Sequence, residues 1–157
     1  MSAFTPEAIV MLVTALTVGV VIVFHYEVIQ LLNRWYGRRH GKGSVSSKHR
    51  PTVLITMFVL LFAHIAEIYL FGVGYWVLLL QEEQGSISGA SYAVISFLDC
   101  VYFSAANYST VGWGDLAADG NIRFLAGTEA LVGLMMITWS ASYSYLVMVR
   151  AWGNDGD

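Results

Sequence analysis

Thr110-Val111-Gly112-Trp113-Gly114-Asp115 decides how this chain is read. Glycines at alternate positions reach backbone angles closed to other residues, so successive carbonyls can all be turned toward one axis. A short helical run, residues 97–107, precedes the stretch, and long apolar segments flank the pair. Irregular backbone between two membrane spans is tolerated where it lines an aqueous path, which makes this a re-entrant loop. Four such strands around an axis would stack rings of carbonyl oxygens able to take the place of an ion's hydration shell, with the Thr110 hydroxyl closing the inner end.

Composition places the chain in a membrane. Of its 157 residues, 57% are apolar and 12% charged, and mean hydropathy is +0.61. Three segments, residues 8–32, 52–80 and 123–151, each exceed the roughly 20 residues needed to cross about 30 Å of hydrocarbon as a helix. The first has no basic stretch ahead of it and no small-residue cleavage site, so it is expected to stay as a membrane helix. Six of the eight cations, Arg34, Arg38, Arg39, Lys42, Lys48 and Arg50, fall in one connection. The positive-inside tendency assigns that loop to the cytoplasm, leaving the N-terminus outside and the C-terminus inside an inner, cell membrane. A solvated or nucleic-acid-binding loop is the competing reading, and the flanking spans argue against it, so no nucleic-acid partner is expected. Cys100 is the only cysteine, which excludes an intrachain disulfide.

Ser109-Thr110-Val111-Gly112-Trp113-Gly114-Asp115 resembles the T-T-V-G-Y-G-D signature of the two-transmembrane potassium channels and of their small bacterial homologues. Asp99-Cys100-Val101-Tyr102-Phe103-Ser104 resembles their aromatic pore helix, so the likeness spans residues 52–152. It implies an all-α membrane protein: three transmembrane helices, a re-entrant pore helix and a selectivity filter, assembled as a homotetrameric pore in membrane lipid. K⁺ ions would sit at Thr110, Val111, Gly112 and Trp113, with no organic cofactor and no enzymatic step. Gly112 and Gly114 would supply the unusual angles, and Asp115 would bond the aromatic cuff and attract cations. Three positions depart from the pattern: Trp113 for the usual Tyr, Ser109 for the first Thr, and Ala106 where some relatives carry a buried carboxylate. The departures bear on selectivity and inactivation. A weakly selective monovalent cation channel is therefore an alternative, and a non-conducting accessory subunit is another. Gating would come from the membrane part or from an unidentified regulatory subunit.

The expected organisation is an additional N-terminal helix (1–34), a basic loop (35–51), a pore domain (52–152) and a tail (153–157), with residues 81–91 as an outer turret. Trp113 is expected beside Tyr102 and Phe103, and Asp99 in the first turn of the pore helix. His64 and Glu67, three residues apart, share a helix face inside the second span. They read either as a pH-sensitive gate or, preferably, as a structural pair bonded to Ser140, Ser142 or Tyr143. A metal site there lacks further ligands nearby in the sequence. Gly133 and Gly127 are hinge candidates in the third span, with close helix packing as the alternative for both. Trp139, Tyr143, Tyr145 and Met148 are candidates for an apolar inner gate. The first span has no repeated arginines to sense voltage, and residues 25–34 read as a helix leaving the bilayer.

Overall fold

The computed structural model describes residues 5–39, 49–89 and 95–152. Lys42, Lys48 and the tail at 153–157 lie outside them. Helix α1 spans Pro6–Arg39, α2 His49–Leu79, α3 Phe97–Tyr108 and α4 Ile122–Trp152; two short strands, β1 (Ser86–Ser88) and β2 (Ala117–Asp119), complete the order α1, α2, β1, α3, β2, α4. Three of the helices are long and apolar enough to cross a membrane: Pro6–Arg38, Pro51–Leu79 and Ile122–Ala151. The expected spans 8–32 and 123–151 fall inside the first and third, and 52–80 overruns the second by one residue, Leu80, which turns away from α2. The first runs further than expected: residues 35–39, read as loop, continue α1, because no proline interrupts them.

Local chemistry sets the ends. Pro6 sits at the first position of α1, where its missing N–H costs nothing, and Glu7 follows in the first turn, near the positive end of the helix dipole. Helix α3 opens on a reciprocal capping box: Asp99 N–H donates to Ser96 Oγ (3.3 Å), and Ser96 N–H donates to Asp99 Oδ2 (2.7 Å).

Packing is one-sided, as expected of helices partly in lipid. Val10, Thr14, Val21, His25, Ile29 and Leu32 are buried at the three- to four-residue spacing of a single face of α1. Met11, Leu12, Leu16, Val20, Val23 and Leu31 are exposed on its remaining surface. The main core joins Val10 and Val21 of α1 to Phe71, Tyr75 and Leu78 of α2, Cys100, Phe103 and Tyr108 of α3, and Leu125, Val132 and Met136 of α4. Ile29, Leu32, Leu60, Tyr143 and Val147 form a second cluster.

The expected turret is more ordered than a polar connection. A 3₁₀ turn, Glu82–Gln84, leads into β1, which pairs antiparallel with β2 in the register Ser86↔Asp119, Ile87↔Ala118, Ser88↔Ala117. Ser88 Oγ donates to Asp119 Oδ2 at 2.6 Å. A methyl group at Gly89 would fall 2.0 Å from the Asp115 carbonyl oxygen, so only glycine lets the two loops close this tightly.

Candidate functional site: the loop after α3 and the buried network behind it

Helix α3 passes directly into the glycine-containing stretch. Ser109 N–H donates to Ala105 O (3.2 Å), Thr110 N–H to Asn107 O (2.9 Å) and Gly112 N–H to Ala106 O (3.1 Å), tying the stretch to the last turn of the helix. From there the sign of φ alternates. Thr110 (58°), Gly112 (53°) and Gly114 (79°) are left-handed, while Val111 and Trp113 between them are not. An ordinary strand directs successive carbonyls to opposite sides, and alternating handedness abolishes that pattern. Thr110 adopts its angle without glycine's freedom, an uncommon conformation that marks a place to look for function. All six residues, Thr110 through Asp115, are exposed in the single chain.

Beside the stretch, Trp113 stacks on Tyr102, with ring centroids 5.3 Å apart and planes inclined by 11°. Tyr102 Oη donates to Asp115 Oδ2 at 2.8 Å. That hydrogen bond to a carboxylate raises the phenol above its ordinary range. Phe103, the other expected neighbour of Trp113, points the opposite way, packing edge-on against Tyr75 at 5.1 Å. Residues 102 and 103 are consecutive on a helix, so their side chains diverge by about 100° and serve different faces.

Behind α3 lies a carboxylate that the sequence reading missed. Glu129 of α4 is fully buried, accepting from Tyr75 Oη at 2.5 Å, with Ser104 Oγ 2.5 Å from its other oxygen. Ser104 Oγ is also 2.9 Å from the Ile68 carbonyl, so one hydroxyl proton serves two acceptors. A single carboxylate inside an apolar span was itself a signal, since such residues face a protein interior. Ala106 fits the missing carboxylate's place in sequence, while Glu129 brings one to the back of α3 from a different helix.

The two hinge candidates differ in surroundings. A methyl at Gly133 would fall 2.2 Å from the Tyr108 carbonyl oxygen, so this glycine admits the end of α3 against α4. Gly127 is exposed and has nothing within 4 Å. Among the inner-gate candidates, Tyr143 is buried, donating to Asn33 of α1 (3.2 Å), and Trp139 packs on His25 (5.3 Å between centroids). Tyr143 is thus turned into the chain against α1, away from an inner mouth, whereas Trp139 keeps an exposed edge. Tyr145 is exposed and Met148 half-buried.

His64 and Glu67 do meet, with Nδ1 3.3 Å from Oε2, but their expected partners do not. Glu67 is fully buried and accepts from Tyr108 Oη, while His25 Nδ1 lies 2.8 Å from its Oε1. His64 Nδ1 is 2.8 Å from Tyr108 Oη. Ser140 reaches His25 Nε2 (3.3 Å) and not Glu67; Ser142 donates back to Thr138 O; Tyr143 bonds Asn33. Residues 25–34, expected as a helix leaving the bilayer, carry His25, Ile29 and Leu32 on a face buried within the chain. His25 is fully buried because it lies in register with Val21 and Ile29 on the face that α2 and α4 cover.

Helix α3, packed between α2 and α4 and ending in an exposed, irregular loop, has the arrangement of a channel pore domain. Residues 54–150 match the protein family described as Ion channel, the two-transmembrane, potassium-channel-type domain. The match covers well over half of the 157 residues, and the chain belongs to that family. Comparisons with curated proteins and with solved structures return no match. Helix α1, including His25, precedes the matched region.

Proposed function

We propose that the chain is one quarter of a homotetrameric potassium channel, in which Thr110, Val111, Gly112 and Trp113 line a passive K⁺ path with their carbonyl oxygens. The carrying observation is the alternation of φ sign from Thr110 to Gly114, fastened to the end of α3 by the Gly112-to-Ala106 hydrogen bond. Such a backbone lets carbonyls gather on one side, where four copies replace a K⁺ hydration shell. One chain supplies one strand, and rings need closed symmetry. The exposure of Val111 (54%), Trp113 (59%) and Leu98 (66%) supports burial against other copies. The C-terminal partial negative charge of α3 is directed toward the inner end of the path and favours a cation there. In this reading the N-terminus is outside, the 34–50 connection and the C-terminus are cytoplasmic, the membrane is the inner, cell membrane, and no catalytic step is involved.

A second reading, weak selectivity among monovalent cations, is favoured by Trp113. Its indole occupies more room than a phenol and is held by stacking on Tyr102, while the hydroxyl bond to Asp115 comes from Tyr102 itself.

Cation flux into liposomes tests both. K⁺-driven uptake lost in Gly112→Ala, whose left-handed backbone costs a residue with a Cβ about 1–2 kcal/mol, supports the pore. Equal flux with Na⁺ establishes the weakly selective form. Silence of folded protein under every ion gradient favours an accessory subunit.

A further inference from the structure

Four potential ligand atoms from three helices converge behind α3. His25 (α1), His64 and Glu67 (α2) each bring a ligand atom within 4.8 Å of the others, His25 Nδ1 lying against Glu67 Oε1 and His64 Nδ1 against Oε2, and Tyr108 Oη (α3) sits 2.8 Å from His64 Nδ1 and in hydrogen-bond contact with Glu67. Glu67 and His25 are fully buried; the His64 side chain keeps 17% of its surface open, which provides an approach. We propose that this cluster is a transition-metal site, selective for Zn²⁺-like ions, that joins α1 to the pore domain.

Donor chemistry carries the assignment. Two imidazoles, a carboxylate and a phenol are nitrogen and oxygen ligands suited to zinc, and they come in the number a tetrahedral ion takes. At metal–ligand bonds of about 2.0–2.1 Å, tetrahedral ligand atoms stand about 3.3 Å apart. The His64–Glu67 separation already equals that, and the 2.8 Å pairs reach it by opening about half an ångström. Binding through His25 Nδ1 leaves its proton on Nε2, which then donates to Ser140 Oγ (3.3 Å), the orienting bond that metal-bound histidines ordinarily make. Charge agrees as well. An ionised Glu67 is a buried anion among helices in lipid, which is costly unless a positive charge stands beside it. A divalent ion held by the Glu67 carboxylate and a Tyr108 phenolate, which releases its proton, makes the site neutral.

The test uses the full-length protein in detergent, stripped with chelator and titrated with Co²⁺, whose visible absorption reports tetrahedral coordination, and then with Zn²⁺. One Co²⁺ per chain with that absorption, displaced by Zn²⁺ and accompanied by a higher thermal midpoint, is expected. Ser140→Ala should weaken binding about 10- to 100-fold, and His64→Gln should abolish the visible bands. Wild-type protein, folded by circular dichroism, that takes up no Co²⁺ or Zn²⁺ would overturn the site. So would uptake unchanged in His64→Gln, which would place the metal elsewhere, such as at His40 or His49. Should His25→Gln fail to fold, the wild-type spectrum and His64→Gln still decide.

Discussion

Tyr102 holds two neighbours at once, stacking on Trp113 and donating to Asp115. Tyr102→Phe keeps the ring and removes the donor, so it isolates the hydrogen bond. Its raised phenol stays neutral through ordinary pH, and a group of this sign contributes fully below its unfolded value and loses its contribution as pH rises through the folded one. The heat resistance of wild type over Tyr102→Phe should therefore be constant from about pH 7 to 9 and disappear above about pH 10. A difference that vanished near pH 7 would mean the bond contributes nothing. The glycines of α4 make a second contrast. Gly133→Ala should destabilise by about 1–3 kcal/mol because its methyl meets a backbone carbonyl. Gly127→Ala, in open space on a helix, should stabilise by about 0.5–1 kcal/mol. Thermal unfolding of the two single variants checks both signs, and a harmless Gly133→Ala would return that residue to the hinge reading.

At the level of elements, periodicity and length were legible and tertiary partnership was not. The three spans and the helix from residue 97 stand in the sequence because apolar length and an acidic Asp99 in the first turn are local signals, whereas the Ser96 half of its cap emerges only in the structure. Asp99→Ala breaks the reciprocal cap and should cost about 1 kcal/mol, read as a lower thermal midpoint with unchanged helix content. The pairing of β1 with β2 was invisible, since three residues on each side carry no alternation that a loop lacks, and their closeness depends on the fold between them. The partners of His25 are illegible for the same reason. A histidine near a basic segment looks interfacial until the helix that covers it is known.

For the whole molecule, α1 is a structural part of the pore domain's interior. Removing residues 1–39 would take His25 from Glu67 and leave a buried carboxylate short of a hydrogen-bond partner, a loss on the order of 1–3 kcal/mol. The truncated chain should therefore melt well below the intact one. Glu67→Gln within the truncated chain should regain part of the difference, because a neutral amide costs less than a carboxylate to leave underpartnered in the interior. Equal melting of intact and truncated chains would show that α1 rides on the surface.

The β1–β2 register has a mechanical consequence. Everything between Ser88 and Ala117, including α3 and the glycine-rich stretch, leaves and returns through one narrow neck. Tension on α2 or α4 from the lipid is short-circuited across that neck and does not pull the stretch straight. The loop remains tied to the long helices along α3, where Val101 packs on Gly72, Ser104 donates to the Ile68 carbonyl and Tyr108 meets Gly133. A force carried by the long helices thus meets the loop through the flank of α3 before it meets the loop's two ends.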